Sequence, residues 1–92
     1  MIIPLNNGAA YQRFTVSLSG RKVRFELRWL TRFSVFLVDI YESDAPLVLG
    51  RALHPDQNLL DGVITDLGSI TLTGSPATLS NLGQNNKLVY EP

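Results

Sequence analysis

Along Phe14 to Trp29, FTVSLSGRKVRFELRW, apolar residues recur at every second position: Phe14, Val16 and Leu18 hold one parity, and Val23, Phe25, Leu27 and Trp29 hold the other. Successive side chains of a strand point to opposite faces, so this pattern, rich in aromatic and β-branched residues, predicts two strands. The parity change across Ser19-Gly20 predicts a hairpin. With Ser19 and Gly20 as a two-residue loop, Val16 faces Val23, Phe14 faces Phe25, and Arg13 lies opposite Glu26 on the polar side. A shifted loop would set Arg13 opposite Arg28, and like charges directly opposed are unfavourable, so the first register is expected.

A second stretch, RFSVFLVDIY from Arg32 to Tyr41, behaves differently, because Phe33, Val35 and Leu37 alternate with Phe36, Val38 and Ile40 and leave both faces apolar. Such a strand needs cover on both sides, from a second sheet, a closed barrel or a partner subunit, and is expected to lie centrally. ESDAP, Glu42 to Pro46, is a turn signal. LVLGRAL after it reads as another strand, with Gly50 marking a bulge or a close backbone approach. HPDQN breaks the chain again, and the remainder is a series of short apolar pieces, GVIT, SITLTG and KLVYEP, separated by Gly, Ser, Asn and Pro. Helical periodicity is absent apart from a weak signal for one turn near Ala77 to Leu82. The expectation is an all-β fold, a small antiparallel sandwich or barrel of about six or seven short strands. Residues 1–92 read as a single β domain, with residues 1–10, and Ile2 to Leu5 in particular, as an extended arm or an edge strand.

Composition narrows the function classes. The 92 residues are 45% hydrophobic and only 17% charged, which argues for a packed core and against disorder. Without cysteine there are no disulfides, thiolate metal sites or cysteine nucleophiles. The start MIIPLNNGAA lacks the basic region of a secretion signal, and no segment approaches the roughly 20 apolar residues that span a bilayer, so no membrane role is expected. His54, the one histidine, precedes Pro55 in a turn, and DQNLLDG does not reproduce the alternating oxygen ligands of a calcium loop. No nucleophile elbow or glycine-rich phosphate loop occurs. The reading is therefore no enzyme, no metal and no cofactor; catalysis would gain support only from a deep pocket gathering His54, Asp61 or Asp66.

Charge is balanced overall and uneven along the chain. Residues 1–32 carry Arg13, Arg21, Lys22, Arg24, Arg28 and Arg32 against Glu26 alone, while the acidic residues concentrate beyond residue 33. This asymmetry suits docking to a charged partner, or pairing within the molecule. Lys22, Arg24 and Arg28 share one strand face and could contact phosphates, which makes a small nucleic-acid-binding β-barrel the alternative function. Phe25 and Trp29 have the opposite parity, however, so aromatic residues and charges do not interleave on one surface, and specific nucleic-acid binding is not expected. The aromatic residues of this hairpin are assigned to folding and the opposite row, Arg13, Lys22, Arg24 and Arg28, to contact with an acidic protein partner or a second copy.

Several pieces in order, IIPL, YQRFTVSLSGRKVRFELRW, FLVDIYESDAPLVLGRAL, NLL, DLGSITL and NLGQNNKLVYEP, cover nearly the whole chain. Together they resemble the small baseplate plug proteins of contractile-tailed bacteriophages, including those of cyanophages. The most specific pieces are Ile3-Pro4-Leu5 followed by Gln12 and Phe14, the Leu18 to Gly20 hairpin, and Leu82-Gly83 followed by Leu88 to Tyr90. ESDAP departs from the resemblance, since a glycine-containing turn is expected there. The resemblance implies a non-enzymatic virion component, assembled in the host bacterial cytoplasm and present in several copies in a symmetric assembly. It would plug or join the lower end of the tail tube at the central hub and spike. Ile2, Ile3, Leu5, Arg13, Lys22, Arg24 and Arg28 are the candidate contacts with these partners.

Overall fold

The computed structural model describes residues 1–92, and its regular structure is entirely β. Seven strands, β1 (Ile2–Ile3), β2 (Tyr11–Leu18), β3 (Arg21–Leu30), β4 (Val35–Glu42), β5 (Ala45–Ala52), β6 (Ser69–Gly74) and β7 (Asn86–Glu91), form two antiparallel sheets. One sheet has the order β2-β3-β4-β5 and the other β1-β7-β6. The all-β expectation and the strand count hold, and the architecture is the sandwich.

The opening hairpin has the expected register, with Phe14 opposite Phe25, Val16 opposite Val23 and Arg13 opposite Glu26. Its turn places Ser19 at φ 52° and Gly20 at φ 76°, the two positive values that a type I′ turn requires to match the twist of the strands. The ESDAP hairpin uses the same solution without glycine: Ser43 (φ 48°) and Asp44 (φ 68°) both take left-handed backbone, and Glu42 pairs with Ala45. Asp tolerates this region better than most side chains because its short polar group bonds locally.

The strand expected from Arg32 starts later. Leu30 pairs with Val35, and Thr31 to Ser34 form the connecting turn, closed by Phe33 N–H to the Leu30 carbonyl (3.1 Å) and Ser34 N–H to the Thr31 carbonyl (3.3 Å). Phe33 consequently lies in the turn and is exposed instead of extending an apolar face. β4 is central, between β3 and β5, as expected. Gly50 does mark a bulge: Val38 pairs with Arg51 and Ile40 with Val48, so Leu49 and Gly50 together oppose Asp39. With φ at +66°, Gly50 occupies backbone that other residues adopt only under strain.

Both sheets close on one core. Leu18, Val23, Phe25, Leu27, Phe36, Val38 and Ile40 come from the larger sheet, and Ile3, Ile70, Leu72, Leu88 and Tyr90 from the smaller. Leu53, Leu59, Leu60 and Leu67, in the segment between β5 and β6, fill the space at its ends. Phe25 stacks on Phe14, and Trp29 meets Phe36 edge-on. GVIT forms no strand, and Ile64 within it is fully exposed. The helical signal near Ala77 to Leu82 reduces to a single turn, with Leu82 N–H on the Thr78 carbonyl (3.1 Å).

The chain ends meet. β1 adds to β7 with Ile2 opposite Val89 and Ile3 opposite Leu88, so the N-terminal residues pair with a sheet edge of their own molecule. The Met1 ammonium donates to the Tyr90 carbonyl at 3.0 Å, and Tyr90 N–H returns a bond to the Met1 carbonyl at 2.8 Å.

Candidate assembly surface

The residues that alternate with these core rows, set outward by the pleat of the larger sheet, build its solvent face. Across the strands lie Tyr11, Arg28 and Leu37, then Arg13, Glu26 and Asp39, then Thr15, Arg24 and Tyr41. Glu26 and Asp39 stand directly opposite one another, which would repel if they were alone. Arginines relieve it. Arg24 donates to Glu26 (3.2 Å) and to Asp44 (2.8 Å), and Arg28 lies 3.7 Å from Asp39. Arg24 also stacks over the Tyr41 ring at 4.3 Å. Burial disfavours the charged form of Arg24, but the hydrogen bond to Asp44 and the nearby charge of Glu26 outweigh it and raise its pKa.

This is how the outer face of β4 is covered. Tyr41 is half-buried beneath Arg24, and Leu37, also half-buried, lies opposite Arg28 on the same face, so the apolar outer row is shielded within its own sheet and not by a second layer. The charge asymmetry of the sequence is accordingly spent in part on internal pairing. Arg24 and Arg28 are engaged within the chain, whereas Arg13 and Lys22 are exposed and make no ion pair. Arg13 faces Glu26 across the ladder, yet Glu26 bonds to Arg24 and to the Tyr11 hydroxyl instead.

At the turn end of the sandwich Arg21 forms a fork with Glu42, Nε to Oε2 at 2.8 Å and Nη2 to Oε1 at 2.7 Å, while its Nη1 reaches Asp66 at 2.7 Å. These bonds raise the Arg21 pKa and hold the Asp66 carboxyl below its usual range. Nearby, the Tyr90 hydroxyl bonds to the Leu67 carbonyl and to Ser19 Oγ (2.7 Å), tying the smaller sheet to the β2–β3 turn.

Of the other sequence candidates, Ile3 lies in the core at 1% exposure, Leu5 is half-buried against it, and Ile2 is exposed on the outer side of β1. Three polar residues, Gln12 and Asn86 buried and Asn58 half-buried, fasten the loops to the sheets. Gln12 both accepts from and donates to the Asn6 backbone (3.0 Å each), fastening the N-terminal segment to β2. Asn58 Oδ1 accepts from Leu60 N–H and Ile70 N–H, and Asn86 links Ser75, Asn81 and Gly83. A polar residue at an inward parity, as Gln12 is, was the available signal.

The largest depression, about 630 Å3 and open to solvent, gathers Arg51, His54, Asp56 and Asp61. Asp66 lies apart, on Arg21. Arg51 is committed to the carbonyls of Leu59 and Asp61, and His54 makes no side-chain hydrogen bond, so no nucleophile and base are brought together there. No group of side chains is arranged to hold a metal ion.

These features define a small two-sheet β domain whose distinctive groups lie on one sheet face and at its edges. The family model described as cyanophage baseplate Pam3 plug gp18 matches residues 1–92, and the chain belongs to that family. It is a structural component of the phage tail baseplate, which it shares with other baseplate proteins. No curated protein matches the chain.

Proposed function

We propose that the chain plugs or joins the lower end of the tail tube where it meets the central hub and spike, in several symmetric copies and without catalysing a reaction. The observation that carries this reading is the family match over the full length. The surface supports it: ion pairs and latches within the chain keep the fold rigid, while Arg13, Lys22 and Ile2 remain exposed for contacts with neighbours. Arg24 and Arg28 border Arg13 and Lys22, while Ile3 of β1 and Leu5 anchor the segment that carries Ile2 to the core. The protein is made and assembled in the host cytoplasm and leaves in the virion.

Tails from phage lacking this gene, imaged beside wild-type tails, test the reading. The expected result is loss of density at the tube–hub junction and separation of tube from hub; an intact junction overturns it. A DNA titration of the isolated chain adds a second arm, since tight binding with a steep salt dependence would instead support a phosphate-binding role.

A further inference from the structure

A sheet edge left open is a template for another strand. This sandwich has four edges, and three are blunted. β1 contributes only Ile2–Ile3 before Pro4. The free side of β6 is covered by the segment at 55–59: Asp56 N–H bonds to the Leu72 carbonyl (2.8 Å), Leu59 N–H to the Ile70 carbonyl (2.7 Å), and Asn58 Oδ1 accepts from Ile70 N–H (2.9 Å). β5 contains Pro46 and register shifts on both sides of Ile40, which break the regular spacing a new strand needs.

β2 has none of these devices. It pairs with β3 without a shift from Tyr11 to Leu18 and contains no proline. Trp29 N–H bonds to the Ala10 carbonyl (2.7 Å), which fixes the phase of the ladder. Hydrogen-bonded and non-hydrogen-bonded pairs alternate in an antiparallel ladder, so Gln12, Phe14, Val16 and Leu18 bond to β3. The N–H and C=O groups of Tyr11, Arg13, Thr15 and Ser17 therefore point away from the sheet, and none of them bonds elsewhere in the molecule. The two outer-face cations without ion-pair partners flank this edge, Arg13 on β2 itself and Lys22 opposite Ser17.

We propose that β2 is a docking edge to which an extended acidic segment of a neighbouring protein adds as a fifth strand, its backbone bonding to Tyr11, Arg13, Thr15 and Ser17 and its carboxylates lying beside Arg13 and Lys22. Backbone bonding supplies attachment, and the two cations select an acidic sequence. A second copy fits less well, because pairing β2 with itself would bring Arg13 and Lys22 of both copies together. The assignment rests on the baseplate reading only for where the neighbour is found.

The test uses the full chain and a synthetic peptide of alternating glutamate and valine as long as β2, with a lysine–valine peptide beside it. Amide exchange is followed residue by residue. The acidic peptide should slow exchange at Tyr11, Arg13, Thr15 and Ser17 by about tenfold at saturation, leaving the already protected Gln12, Phe14, Val16 and Leu18 unchanged. Thr15→Pro removes one outward donor without touching the β3 ladder and should abolish the effect. Arg13→Glu with Lys22→Glu, which leaves the backbone alone, should abolish it too and gives the answer if the proline variant fails to fold. Equal protection by the lysine peptide, protection at β5 instead, or a concentration-dependent dimer that protects the same amides without peptide overturns the proposal. If folded Thr15→Pro protein loses peptide binding yet enters tails at wild-type occupancy, the docking edge fails while the baseplate role stands; if the wild-type chain is missing from the tube–hub junction, the baseplate reading fails and the peptide result stands alone.

Discussion

Asp39 offers the sharpest test of how the larger sheet is held. Its side chain is almost wholly buried, its Oδ1 accepts from Gly50 N–H at 2.6 Å across the bulge, and its Oδ2 lies 3.7 Å from Arg28. The bulge removes Gly50 from the regular ladder, so the carboxylate replaces a lost backbone acceptor. Asp39→Ala leaves that amide without its partner, and a hydrogen bond to a charged group contributes about 1.5–3 kcal/mol. The Arg28 pair is long and half exposed and contributes at most about 1 kcal/mol. Asp39→Asn keeps an oxygen for Gly50 and gives up only the charge, so it should cost about 1 kcal/mol or less. At about 4–8 °C per kcal/mol for a domain of this size, the alanine variant, which loses both interactions, should melt roughly 6–32 °C below wild type and the asparagine variant less than about 8 °C below. Thermal melts by circular dichroism with urea titrations at constant m-value measure both. Equal losses in the two variants would show that charge, not the bond to Gly50, carries the stabilisation, and would refute this reasoning.

Phe25 is fully buried and stacked on Phe14 with centroids 5.4 Å apart, so Phe25→Ala should cost about 3–5 kcal/mol in denaturant titration, a large share of the roughly 5–14 kcal/mol expected for a domain of this length. Phe14→Ala, at the half-buried edge, should cost clearly less. A Cβ on Gly74 would meet the Asn85 carbonyl oxygen at 2.5 Å with φ at +99°, so Gly74→Ala should destabilise by about 2 kcal/mol or more, whereas Gly50→Ala, with open space around it, should cost only the left-handed backbone term of about 1–2 kcal/mol. The Arg21 guanidinium depresses the Asp66 pKa in the folded state, so their pairing stabilises above the unfolded carboxylate range and is lost as pH falls through the folded value. Asp66→Asn should flatten that acid limb in melts recorded against pH, and an unchanged limb would assign the pH dependence elsewhere.

The first hairpin was legible because three local signals agree: alternation fixes the faces, Ser19-Gly20 fixes the loop, and opposed charges exclude the slipped register. Phe33 reads as part of a strand because apolar alternation continues through the residues that the next hairpin uses as its turn. Ser34 at φ 49° shows the chain reversing there, and no residue type at that position announces it. GVIT is apolar in sequence, yet Ile64 faces solvent because the core is already closed by Leu59, Leu60 and Leu67 on either side of it.

By itself the sequence determined the class of fold, the pairing of β2 with β3, an irregularity at Gly50 and the family, since each follows from residue order or from neighbours along the chain. Which arginines remain free was decided only in three dimensions. Arg24 and Arg28 read like Arg13 and Lys22 in one dimension, but Asp39 and Asp44 reach Arg28 and Arg24 only once β4 and its turn lie against β3. The openness of β2 was decided in the same way: both β2 and β5 end the larger sheet, but β5 carries Pro46 and a bulged register, whereas β2 pairs with β3 without a shift and so leaves a regular row of outward backbone groups.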